Sequence, residues 1–160
     1  MNMLMRKFYL SLLSLTIMFA TLTSTAFAKG ALEITDAWIP LAPPVVKVMA
    51  GYLTIHNPTS KAIVIDKVTS TGFETVEMHE TIEKDGMARM VKKDKMTVPA
   101  KSNVIFKRGG LHLMLINPKQ SLKKGEKVTL RFSTNTGVVS VSAKVKEATI
   151  EDHSHHHHNH

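Results

Sequence analysis

From residue 29 to residue 150 the chain alternates short apolar runs with turn residues. It has few stretches at the roughly 3.6-residue spacing of an amphipathic helix. The runs LEITDAWI (32–39), AGYLTIHN (50–57), AIVIDKVTS (62–70), ETVEMHETIEK (74–84), MARMVKK (87–93), NVIFK (103–107), HLMLIN (112–117), KVTLRFST (127–134) and VVSVSAKVK (138–146) are rich in β-branched residues and read as strands. Asn57-Pro58, Asp85-Gly86, Gly109-Gly110, Asn117-Pro118, Lys124-Gly125 and Asn135-Thr136-Gly137 punctuate them. VSVSAKV alternates with period two, as a half-buried strand does. Many short strands at this spacing predict one all-β domain, an antiparallel sandwich or barrel. IPLAPPVVKV (39–48) cannot be a central strand, because Pro40, Pro43 and Pro44 lack ladder donors. It is expected to be a loop over one end of the sandwich.

The segment MHETIEKDGMARM (78–90) gathers one histidine and three methionines around a turn. Asp-Gly between two strand-like runs signals a type I′ hairpin, whose two central residues both need positive φ. With Asp85-Gly86 as that turn, Lys84 pairs with Met87, Glu83 with Ala88, Ile82 with Arg89, Thr81 with Met90 and His79 with Lys92. His79 and Met90 are then diagonal neighbours on one face, with backbones about 7–8 Å apart. Met78 and Met87 fall on the opposite face, toward the core. A bulge would reverse the assignment. Further along, His112 and Met114 in GGLHLMLIN are two residues apart and share a strand face, with Leu111, Leu113 and Leu115 on the other.

The two ends differ from this middle. Arg6 and Lys7, the apolar run Phe8 to Leu22 and the Ala26-Phe27-Ala28 site read as a signal peptide over residues 1–28. The apolar run is shorter than the roughly 20 residues that span a bilayer. Cleavage after Ala28 is expected to give a soluble mature chain from Lys29, exported to the periplasm. The tail EDHSHHHHNH (151–160) cannot build a core and is expected to be disordered. It offers His153, His155, His156, His157, His158 and His160 as a secondary metal site; an expression tag is the alternative. The 160 residues contain no cysteine. Thiolate metal sites, thiol redox chemistry, a cysteine nucleophile and a cysteine-linked lipid are therefore excluded from this stretch of chain. The formal net charge of +8 is compatible with a lysine-rich solvated surface. In an exported protein it suits an acidic partner or a membrane surface better than nucleic acid. Neither nucleic-acid binding nor stable membrane anchoring is expected.

Two imidazoles and two thioethers narrow the chemistry. Thioether sulfur is soft and neutral, a poor ligand for zinc, magnesium or calcium; with imidazole it suits copper, and Cu(I) above all. Without cysteine, neither a blue-copper site nor a thiolate-bridged dinuclear site can form. That argues for holding and handing over an ion rather than for electron transfer.

The spacing His79, ten residues, Met90, twenty-one residues, His112, one residue, Met114 resembles the copper-binding pattern of the PCu(A)C family of periplasmic copper chaperones. DAWIPLAPPVVKVMAGYLTIHNPTSKAIVI is similar to that family's N-terminal region, and LKKGEKVTLRF to its late Lys-Gly turn and strand. The likeness runs from about Ala31 to Lys146. It implies an all-β, cupredoxin-like antiparallel β-sandwich of Greek-key type over residues 29–150, with one Cu(I) held by His79, Met90, His112 and Met114. It also implies delivery to the subunit bearing the dinuclear copper centre of cytochrome c oxidase, or to a related haem-copper oxidase, with a Sco-type thiol protein as a second partner. The histidine tail lies outside this pattern. It would suit Cu(II), and would weaken with acid from around pH 6.5 as its imidazoles protonate.

Other readings are weighed against this one. A copper storage or resistance protein could use the same ligands, and a metal-free structural sandwich could use the methionines as packing. No triad or histidine cluster with bridging-ligand spacing is present, so no enzyme and no catalytic residue are expected. HETIE (79–83) lacks the second histidine of a zinc-protease helix. His56, at a strand end before Asn57-Pro58, reads as a hydrogen-bonded turn histidine, Met49 and Met96 as packing, and Trp38 as a core or loop anchor. Lys92, Lys93, Lys95, Lys101, Lys107 and Arg108 either ring the site or form a plain solvated surface.

Overall fold

The computed structural model describes residues 31–148. The expected signal peptide (1–28) and the histidine tail (151–160) lie outside the described residues. Ten strands follow in order: β1 (Glu33–Pro40), β2 (Val48–Asn57), β3 (Ile63–Ser70), β4 (Phe73–Lys84), β5 (Met87–Lys93), β6 (Met96–Val98), β7 (Ser102–Phe106), β8 (Leu111–Pro118), β9 (Lys127–Thr134) and β10 (Gly137–Lys146). Among the described residues there is no helix. All nine predicted strands are present, within two residues of their expected ends. The strand that pattern reading misses is β6, whose three residues are too short for a period to register. Residues 41–47 connect β1 to β2, but Pro40, expected in that loop, instead ends β1 opposite Lys146 of β10, beyond the last β1–β2 partner pair, and Val48 begins β2.

Hydrogen bonding runs β5-β4-β8-β2-β1-β10-β9-β3-β6, with β7 also beside β2. The path becomes two layers at β2. Its first half, Val48 to Gly51, pairs with β8; its second half, Leu53 to Asn57, pairs with β7. The first layer is therefore β5-β4-β8, and the second contains β7, β1, β10, β9, β3 and β6. One pairing is parallel, between β1 and β10, and it brings the two ends of the domain side by side. The core lies between the layers. It takes Met78, Leu113 and Leu115 from the first layer and Ile55, Leu130, Phe132, Ala143 and Val145 from the second. Each fully buried Ile, Leu or Phe stabilises this packing by roughly 1.5–3 kcal/mol. Met49 and Met96 are buried, as expected of packing residues.

Close approach at the layer switch depends on Gly51. A Cβ there would stand 3.3 Å from both Leu113 Cβ and Leu115 Cδ1. In β1 a bulge shifts the register between Thr35 and Trp38, with Asp36 at φ 52°. The shift leaves Ala37 and Ile39 buried and turns Trp38 to the outer face. There Trp38 meets Tyr52 with ring centroids 5.0 Å apart, so it is an outer-face residue rather than a core one. His56 is hydrogen-bonded as expected, through Nδ1 to Asn103 Oδ1 at 2.6 Å, although it sits within β2 rather than in a turn.

Asn57 closes the far end of β2. It is fully buried. Its Nδ2 donates to the carbonyls of Lys61, Val98 and Pro99, and its Oδ1 accepts from the Thr59 amide and hydroxyl. One side chain thus holds the β2–β3 and β6–β7 connections together. Asn57→Ala would strand buried carbonyls without a donor. The expected loss is about 2–4 kcal/mol of folding stability, read as a lower urea midpoint at unchanged slope.

Candidate metal centre

The β4–β5 hairpin forms as the sequence predicts. Asp85 and Gly86 have φ of 55° and 72°, the left-handed pair of a type I′ turn. Lys84 opposes Met87, Thr81 opposes Met90 and His79 opposes Lys92. On the other side of β4, His79 lies directly opposite His112, and Glu77 directly opposite Met114. Cross-strand partners share a face, and so do residues two apart. Glu77, His79, Met90, Lys92, His112 and Met114 therefore converge on the outer face of the first layer, while Met78 and Leu113 point into the core.

One expectation fails at the hairpin tip. Met87 has the same parity as Met78 but is 55% exposed. Every residue from Ile82 to Met90 is exposed, so no second layer covers this part of the hairpin. Parity assigns a face; it does not say that the face is covered.

The two imidazoles are held in different ways. Their ring centroids are 6.0 Å apart. His112 is buried, and its Nδ1 donates to the Gly110 carbonyl at 2.9 Å. The same carbonyl accepts from the Thr81 amide at 3.1 Å, tying the β7–β8 turn to β4. His112 Nε2 is left with its lone pair. His79 has the reverse arrangement: Nε2 donates to Glu77 Oε2 at 2.9 Å. Its Nδ1 is buried without a hydrogen-bond partner, the sole such side-chain polar atom among the described residues. Such an atom costs about 1–3 kcal/mol, which a metal bond would offset. Second-sphere bonds that fix the tautomer and orientation of a ligand histidine are the usual support of a metal site.

Charge around the site is compensated. Glu77 Oε1 accepts from Lys92 Nζ at 2.7 Å. The Lys92 bond, and after it the His79 bond, hold the Glu77 carboxyl below its usual value of 4.5, against the opposing effect of burial. The Lys92 ammonium is raised in turn by the Glu77 carboxylate. Of the basic residues that could have ringed the site, Lys93 pairs with Glu80, Lys95 with Asp66, and Lys101 donates to the Pro58 carbonyl. Lys92 is the one directly opposite a candidate ligand. Glu77 escapes a reading based on ligand spacing, although its place two residues before His79 puts it on the same strand face. The Gly110 carbonyl leaves no sequence signal at all.

The donor set fits a soft ion. Among the described residues no three His, Asp or Glu side chains converge to hold a metal, so a site here needs the thioethers. All four candidate donors are neutral. Binding therefore requires no deprotonation beyond neutral imidazoles. Met90 is 66% exposed on the edge strand β5, and Met114 is half-buried between Glu77 and Ala50.

Two outcomes test this geometry. Nitrogen-15 correlation spectra of the metal-free protein at mildly alkaline pH should find the proton of His112 on Nδ1 and that of His79 on Nε2. The second concerns acid. Because the Glu77 carboxyl titrates below its usual value in the folded state, it contributes stability at neutral pH. That contribution is lost as pH falls below 4.5 and through the folded value. Urea midpoints of the parent and Glu77→Gln should differ at pH 7 and converge toward pH 3.

Residues 32–145 match the family described as "Putative lipoprotein LpqE-like". Protein RP573 of Rickettsia prowazekii is 32% identical over 127 residues, 74% of this chain and 68% of that protein. Among solved structures, the copper-bound PCuAC domain of PmoF2 is 20% identical with a TM-score of 0.63, over 76% of this chain and 97% of that domain. The copper(I) form of DR1885 from Deinococcus radiodurans is 25% identical with a TM-score of 0.59, over 80% and 85%. Both likenesses agree with the cupredoxin-like sandwich that the sequence implied. The chain belongs to the LpqE-like family, and its fold is that of the PCuAC domains its sequence resembles.

Proposed function

We propose that this protein is an exported Cu(I) chaperone that holds one ion with His79, Met90, His112 and Met114 over the domain at 29–150. The observation that carries the reading is the direct opposition of His79 and His112. Each has one ring nitrogen without a hydrogen-bond partner, on a strand face shared with two thioethers. The copper-bound forms of PmoF2 and DR1885 support the choice of metal. Export is supported by the sequence of residues 1–28 and by the lipoprotein description of the family. The acceptor is the dinuclear copper site of cytochrome c oxidase or a related haem-copper oxidase, with a Sco-type thiol protein acting alongside. The function is non-enzymatic. The histidine tail is a separate, weaker site suited to Cu(II).

Handover follows from the ligand positions. His79 and His112 sit in paired strands and are held by Glu77 and Gly110. Met90 projects from the outermost strand, open to solvent. An incoming ligand can replace the Met90 thioether first, while the imidazoles keep the ion from escaping. This exposure favours transfer over long-term storage.

Anaerobic Cu(I) competition titration of the chain ending at Ile150 should give one tight equivalent. Met90→Leu should weaken it by about tenfold or more, with unchanged thermal stability. Transfer to an apo dinuclear-copper domain would then separate a chaperone from a store. Absence of a tight equivalent would make the methionines packing residues and assign any copper binding to the tail.

A further inference from the structure

The outer face of the second layer carries a charge pattern that the metal centre does not use. In β9 and β10 the buried positions are Val128, Leu130, Phe132, Val139, Ala143 and Val145. Strand alternation therefore turns Lys127, Arg131, Lys144 and Lys146 outward, and all are exposed. Lys127 lies directly opposite Lys144, Lys144 opposite Trp38, and Trp38 opposite Tyr52. One row of partners thus crosses four strands as two lysines followed by two aromatic rings. Arg108 and Lys146 place their cations 5.9 and 6.0 Å from the Trp38 ring centre.

Like charges directly opposed in a sheet cost stability. Here nothing in the fold offsets them: among the described residues, Lys127, Arg131 and Lys144 have no ion-pair partner. Glu147 at the edge of the row is engaged by Lys124 at 2.9 Å, and Glu33 stands at the far end of β1, opposite His56. The His/Met face is the reverse case. Its lysine, Lys92, is neutralised in place by Glu77 at 2.7 Å. Other cations without an ion pair among the described residues, such as Lys84 and Arg89, lie on the hairpin; what sets the back face apart is that its cations stand in one row with two aromatic rings.

The geometry points to this back face as a reversible docking surface for an anionic lipid membrane. A membrane fits better than a polyanionic chain because two aromatic rings continue the row of cations. Half-buried Trp38 and Tyr52 beside them are the rings that settle at headgroup level. Each basic residue near an anionic surface strengthens partitioning by roughly fivefold, so the row suffices for adsorption without an anchor. Docked this way, the domain turns His79, Met90, His112 and Met114 away from the bilayer, toward whatever approaches from the aqueous side. The surface does not depend on the metal reading.

Trp38 is the sole tryptophan, so its emission reports directly on this face. The full chain should bind phosphatidylglycerol vesicles with a blue-shifted emission, fail to bind neutral phosphatidylcholine vesicles, and be released by about 0.5 M salt. Lys127→Glu and Lys144→Glu should each weaken binding by about tenfold or more. Each should also raise the melting temperature, because an opposed like-charge pair becomes an attractive one; a purely structural role for these lysines would not give that opposite pair of changes. Cu(I) affinity should not move. The proposal is overturned by no binding to anionic vesicles, by binding with unshifted Trp38 emission, or by binding that neither substitution weakens. Capture by heparin without capture by vesicles would also overturn it, and would assign the face to a soluble polyanion.

Discussion

Strand β2 belongs to both layers, and the rest of the molecule is arranged by that constraint. Its first four residues are hydrogen-bonded to β8 and its last five to β7, while β1 runs along it. A strand that changes partner part-way along must let one neighbour come very close at the change. Gly51 permits this, since any side chain there would press on Leu113 and Leu115. With the switch fixed, β8 is anchored to the core by the same two leucines. Its other face, bearing His112 and Met114, must then point outward.

That outward face gathers the four candidate donors. Thioethers exposed singly would be poor ligands, because each must be brought to the ion at an entropic cost. Here paired strands fix the backbone of all four candidate donors, and two of the side chains are oriented by further hydrogen bonds. The Gly110 carbonyl serves His112 and the β4 backbone together, and Glu77 serves His79 and Lys92 together. The imidazoles are tied by hydrogen bonds, while Met90 is open to solvent.

The two outer faces divide the surface labour. Beside the candidate donors, the Glu77 carboxylate is matched by Lys92 and His79. On the back, Lys127, Arg131 and Lys144 have no ion-pair partner among the described residues. Lys127 and Lys144 stand opposite one another with no carboxylate between them, so the fold carries their repulsion as a cost.

Much of this was legible in the chain. Asp85-Gly86 specified the turn, the turn specified the register, and the register specified which methionine joins His79. These steps are local: each depends on backbone sterics and a period of two, and both are written in neighbouring residues. What escaped needed distant contacts. Parity placed Met87 with Met78, but only the extent of the opposing layer decides that one is buried and the other is not. The partners of His79 and His112 include a carboxylate that the ligand spacing does not mark and a backbone oxygen that no sequence marks. The pairing of Lys127 with Lys144, and the aromatic rings beside them, joins β1, β2, β9 and β10, which approach one another only in the folded sandwich. Sequence alone determined the strands, the hairpin and the set of soft donors, because local periodicity and residue chemistry carry them. Tertiary structure alone decided which faces are covered and which charges meet, because burial and cross-strand pairing are set by segments far apart in the chain.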